Sequence, residues 1–132
     1  MFNFVGIEET MPNYSATAAP FTIDSGDVVF AFNAESPAPP QSSIQFALPS
    51  FTGARGENAR TVSWQTSFAS APTAVNVVLQ AADQDADSSY ATIDTSTNVN
   101  GERRQFFVRA RFLRARLVSQ TAGGAITVTL AA

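Results

Sequence analysis

Two charged clusters in this chain have the residue types and spacing to do chemistry. Six arginines (Arg103, Arg104, Arg109, Arg111, Arg114 and Arg116) lie within RRQFFVRARFLRARLVS in the final third of the sequence. Four aspartates (Asp83, Asp85, Asp87 and Asp94) lie just before them, in the stretch ADQDADSSYATID. Arginine offers a planar fork of donors that matches carboxylates, and the chain has no lysine, the usual solubilising cation. An arginine stripe therefore points to a surface for acidic groups, with Arg109, Arg111, Arg114 and Arg116 as the candidate contacts. Some of the arginines have an alternative in internal pairing with Glu102 or with the Asp83–Asp87 loop. The aspartates follow calcium-loop spacing, with Asp94 at the twelfth position from Asp83. Ser88 stands where such a loop needs glycine, however, and the flanks read as strands. A β-loop calcium site over Asp83, Asp85, Asp87 and Asp94 is thus the lesser reading. A solvated acidic hairpin tip that discourages edge pairing is the favoured one.

The missing residue types narrow the chemistry further. With no histidine, cysteine or lysine, acid–base and nucleophilic roles would fall to carboxylates, hydroxyls and tyrosine. A glycosidase-like carboxylate pair needs only two acids. The acids here sit in Ser- and Gly-rich turns, where Asp is favoured for backbone reasons. We therefore expect no enzyme and no cofactor. The absence of cysteine also excludes disulfides and thiolate metal sites.

Charge is distributed unevenly. Residues 1–100 carry two arginines against ten acids, a net of −8. Residues 101–132 carry six arginines against Glu102, a net of +5, and the whole chain is at −3. A local basic stripe on an acidic protein suits head-to-tail self-association or docking on an acidic protein surface. It does not suit general nucleic-acid binding, which needs a broad positive field. No apolar run approaches the length of a membrane span, and MFNFVGIEETMPNY does not read as a secretory signal.

The elements that must position these residues read as β throughout. At 132 residues with 45% hydrophobic content, the chain is long enough for one domain with a core of its own. Residues 1–20 show no periodicity and read as an arm, whose Phe2 and Phe4 should dock on the domain or on a neighbour. Residues 21–132 form the domain. Val28, Phe30 and Phe32 alternate with Val29 and Ala31, predicting a strand with its bulky side inward. Prolines at 37, 39 and 40 break the pattern before Ile44, Phe46 and Leu48. Val62, Trp64, Thr66 and Phe68 carry the cleanest period-two signal, followed by Val75, Val77 and Leu79 and then Tyr90–Thr95. The arginine segment changes parity: Phe106, Val108, Ala110 and Phe112 share one face, then Leu113, Ala115 and Leu117 become the apolar set. A bulge or tight turn near Phe112–Leu113 would keep arginine outward in both halves. Ile126, Val128 and Leu130 then close a hairpin through Ala122–Gly123–Gly124. The expectation is an all-β, single-domain antiparallel sandwich, jelly-roll-like, of about eight or nine strands with an N-terminal arm.

The order of parts over the C-terminal half is a strand with Trp64, the turn SAPTAV, and VVLQAADQDADSSYATIDTST. RRQFF, FLRARLVSQTAGG and AITVTL complete it. In that order the stretch from Val62 to Leu130 resembles a β-sandwich module of tailed-bacteriophage virion proteins, itself similar in pattern to galactose-binding-like sandwiches. The resemblance implies a phage structural protein, most like a capsid decoration or cement protein. Such a protein would bind the capsid exterior as a homodimer or homotrimer and brace joints between major capsid protein subunits. The alternative it implies is a carbohydrate- or receptor-binding module of a tail, baseplate or fibre, for which Trp64 and Tyr90 would be the aromatic platform. The loop QAADQDADSS lacks the glycine and tryptophan often seen in related loops, which counts against a sugar site.

Overall fold

A computed structural model describes residues 20–23, 27–48 and 59–132. The proposed arm, with Phe2 and Phe4, lies outside the described residues. Ten strands are described: β1 (Phe21–Thr22), β2 (Val28–Glu35), β3 (Gln41–Ser42), β4 (Phe46–Ala47), β5 (Ala59–Phe68), β6 (Ala74–Ala82), β7 (Ala91–Ser96), β8 (Glu102–Arg109), β9 (Phe112–Thr121) and β10 (Ile126–Ala131). They form two sheets. One runs β1-β4-β9-β6-β7, with β3 also on β9; the other runs β2-β10-β5-β8. All pairings are antiparallel except the short β1–β4 contact. The expected all-β sandwich is present.

Alternation explains the core. Val62 and Trp64 on β5, Val77 and Leu79 on β6, Leu113 and Leu117 on β9, and Ile126, Val128 and Leu130 on β10 are all buried. Each set recurs at spacing two, so each strand turns one face to the facing sheet. Phe32 and Phe46 fill the same core from β2 and β4.

Connectivity differs from the local expectation. β5 passes to β6, β7 to β8, β8 to β9 and β9 to β10 by changing sheets. The predicted hairpin through Ala122–Gly123–Gly124 is therefore a crossing between sheets, with β10 lying between β2 and β5. The parity change in the arginine segment has the same origin. The break falls at Ala110–Arg111, and the two halves enter opposite sheets. Each half can then turn its own apolar set to the shared core. Among the described strands, β6 and β7 alone are consecutive long strands paired side by side, joined through the acidic loop and a 3-10 turn at Asp87–Ser89.

Two strands are irregular for identifiable reasons. In β2 the register against β10 shifts around Val128, so Ala31 and Phe32 are both buried while Val28 and Phe30 point outward. The expected inward bulky side holds for Phe32 alone. β3 and β4 are two pieces of one strand along β9, interrupted at Ser43–Gln45. There the Ser43 hydroxyl accepts a hydrogen bond from the Ala115 amide at 3.0 Å, standing in for a ladder carbonyl. The Ser43 amide still donates to the Ala115 carbonyl at 2.8 Å.

Gly101 makes the turn from β7 to β8 with φ +79°, and a Cβ there would collide with the Thr66 carbonyl oxygen on β5. Both the backbone conformation and the approach require glycine. Gly101→Ala should lower stability by about 1–3 kcal/mol. In urea unfolding this would read as an earlier midpoint with an unchanged slope.

Candidate functional site

The arginines are divided between bracing the fold and facing solvent. On β8 the even-numbered residues Arg104, Phe106 and Val108 lie on the inner side, while Arg103, Gln105, Phe107 and Arg109 are exposed. Arg104 meets Asp94 of β7, across the gap between the sheets. Its Nε donates to Asp94 Oδ2 at 2.9 Å and its NH2 group lies 2.9 Å from Oδ1. Trp64 Nε1 donates to the same Oδ2 at 2.8 Å. Glu102 lies 3.5 Å from Arg104 and accepts a 2.6 Å hydrogen bond from Ser96 Oγ. Burial pushes the Asp94 carboxyl up. Hydrogen bonds from Arg104, Trp64 and the Thr95 amide, with the Arg104 charge, outweigh burial and hold the carboxyl below the ordinary aspartate range.

Arg114 is the second brace and a correction to the expected outward stripe. It lies on the outer face of its sheet yet is 3% exposed, because the acidic loop folds back over it. Its Nε donates to Gln80 Oε1 at 2.7 Å and its NH1 to Asp87 Oδ1 at 2.7 Å. The guanidinium carbon sits 4.2 Å from the centre of the Tyr90 ring. Arg116 donates to Ser42 Oγ at 2.8 Å and is half-buried. Of the four arginines expected at an interface, Arg109 and Arg111 are exposed and Arg114 is not.

The carboxylates do not converge. Asp85 accepts from Tyr90 Oη and from Gln45 Nε2, both at 3.2 Å, while Asp87 pairs with Arg114 and Asp94 with Arg104. Among the described residues no group of three or more acidic side chains is placed to hold a metal ion. Trp64 and Tyr90, the aromatic pair a sugar platform would need, are both buried. An open cleft of about 180 Å³ lies between Ser36, Pro37, Pro39 and the Gln120–Gly124 turn, and none of its lining side chains is ionisable.

What remains exposed is a sheet face. On the outer side of β2-β10-β5-β8, Phe30, Thr129, Gln65 and Arg103 form one row across the four strands, and Val28, Ala131, Ser63 and Gln105 form the next. Phe107 stands beside Thr61 on the β8 side. Phe107 is 67% exposed, Val28 62% and Phe30 43%. Sequence reasoning missed these three. For Phe107 a signal was present: adjacent phenylalanines in RRQFFVR must point to opposite faces of a strand, so one of them leaves the core.

Asp94→Asn should cost about 1–3 kcal/mol at pH 7, since it weakens charge-assisted bonds to Arg104 and leaves Trp64 with a poorer partner. The folded carboxyl titrates below its unfolded value of about 4, so its contribution is complete above that pH and declines as pH falls through the folded value. Acid unfolding followed by circular dichroism should therefore show a shallower acid limb in Asp94→Asn than in the wild type.

No protein-family model matches the chain, and no curated protein sequence matches it. Among solved structures, the SPBc2 prophage-derived protein YomS is similar at 17% identity and a TM-score of 0.53, over 79% of this chain and 88% of that one. The K3 cleaved adhesin domain of Lys-gingipain from Porphyromonas gingivalis W83 aligns at 13% identity and a TM-score of 0.46, over 80% of this chain and 73% of that one. The first of these shows a shared sandwich fold.

Proposed function

We propose that this chain is a non-enzymatic structural protein of a phage virion that coats the exterior of the capsid and braces joints between major capsid protein subunits. The observation that carries the reading is how the described side chains are used. Arg114 and the Arg104–Asp94 pair are committed to internal bracing, while Val28, Phe30, Phe107, Arg103 and Arg109 are exposed on one sheet face. A sheet face with aromatic and arginine contacts and a polar middle suits docking on another protein, whereas small-molecule sites are concave. The fold shared with a prophage-derived protein supports a phage setting, as does the order of strands and turns from Val62 to Leu130. Many weak contacts, each repeated at every copy of a lattice, give secure attachment without a tight single site.

The test is addition of purified protein to assembled shells that lack it, with bound copies counted by quantitative mass spectrometry. Saturation at a simple ratio to the major capsid protein is expected. Saturation at a few copies per particle would overturn the shell-coating role and move the protein to a tail or neck.

A further inference from the structure

Three of the four large apolar side chains exposed among the described residues lie on one surface, the outer face of the β2-β10-β5-β8 sheet. They are at its two edges: Val28 and Phe30 on β2, and Phe107 on β8. Neither edge strand has a second strand neighbour among the described residues. Exposed edges with apolar side chains are templates for further pairing, and single-chain proteins usually blunt them with lysine or proline. Neither edge carries proline; β8 is charged at Glu102, Arg103, Arg104 and Arg109, which favours an acidic partner strand over a second β8, and β2 keeps a regular register only over Val28–Phe30.

The two edges are geometrically matched. Three antiparallel pairings separate them, so β2 and β8 run in opposite directions. A second copy placed alongside in the same orientation therefore presents its β8 antiparallel to the first copy's β2, with the same face outward. They are matched in charge as well. β8 carries Arg103, Arg104 and Arg109 against Glu102, whereas β2 carries Glu35 and is immediately preceded by exposed Asp27. A register that pairs Phe30 with Phe107 sets Val28 opposite Arg109, Val29 opposite Val108 and Asp27 opposite Ala110, one residue along from Arg109; the pairing is confined to this end of β2, whose register shifts beyond Phe30. Pairing β8 with β8 about a two-fold axis would instead bring two arginine-rich strands together.

We propose that copies of this chain associate head to tail, the β8 edge of one extending the sheet at the β2 edge of the next. The contact is heterologous, so it propagates to a ring if the rotation closes and to a filament if it does not. It does not depend on the shell-coating reading, because it is a property of the purified chain.

Sedimentation velocity over a concentration series tests it with wild type, Phe30→Lys and Phe107→Lys. Both substitutions are at exposed positions, and matched thermal unfolding would establish that each variant is folded. Wild type is expected to form species larger than a dimer, and each variant alone to remain monomeric. An equimolar mixture of the two is expected to give a one-to-one dimer and nothing larger. Phe30→Lys retains an intact β8 edge and Phe107→Lys an intact β2 edge, so one contact, and only one, is restored. Wild type that stays monomeric up to about 1 mM, a limit set by the weak end of specific association, would overturn the proposal. Either variant assembling alone as wild type does, or a Phe30→Lys dimer indicating a two-fold β8 contact, would overturn it equally. A mixture that stays monomeric while wild type associates would do the same.

Discussion

The contact of Asp94 with Arg104 and Trp64 sets the phase of an entire strand. A β-strand has only two sides, so fixing one residue inward fixes every other residue along it. With Arg104 drawn inward to Asp94, Phe106 and Val108 follow to the core, and Arg103, Gln105, Phe107 and Arg109 are displayed. A slip of one residue would turn Arg103, Gln105 and Arg109 toward the core and Phe106 and Val108 toward solvent, at the cost of buried polar groups and exposed apolar ones. The inward ion pair and the outward aromatic are two results of a single constraint. The brace is also shared by both sheets, since Trp64 and Arg104 come from one and Asp94 from the other.

Arg114 makes a comparable arrangement on the opposite layer by different means. A sheet's outer face is ordinarily solvated, yet this guanidinium is covered by Tyr90 and held by Gln80 and Asp87. Asp87 itself remains largely in water, its side chain 70% exposed. The pair is therefore half-solvated, and its contribution lies in tethering the acidic loop to the sheet more than in Coulomb energy alone. The aspartates that read as a metal-loop pattern are spent on protein donors.

Much of the fold was legible from alternation. Val62 and Trp64, Val77 and Leu79, and Ile126, Val128 and Leu130 all occupy the core face that period two assigns. What alternation does not contain is the identity of a strand's neighbour. The Ala122–Gly123–Gly124 turn reads as a hairpin because its composition is that of a tight turn, but the chain crosses to the other sheet there. Arg114 was misread for a related reason. It was read as an exposed contact on solvation grounds, and Asp87, which pairs with it, is twenty-seven residues away. The internal pairing that occurs, with Glu102 and with the acidic loop, was open among the alternatives. The exposed pair on β2 was hidden by a register shift that no local pattern marks.

The place of β10 in its sheet has a consequence for how the protein is made. Residues 126–131 form an interior strand, flanked by β2 and β5. During synthesis β2 and β5 emerge with no partner between them, and the edge of β5 that carries Trp64 opposite Leu130 lacks its ladder partner until residues 126–131 leave the ribosome. At ordinary translation rates that interval is several seconds. The β2-β10-β5-β8 sheet is therefore completed by one step of long-range pairing, the kind of topology that folds slowly. Until that step the unpaired edges of β2 and β5 are open to misassociation.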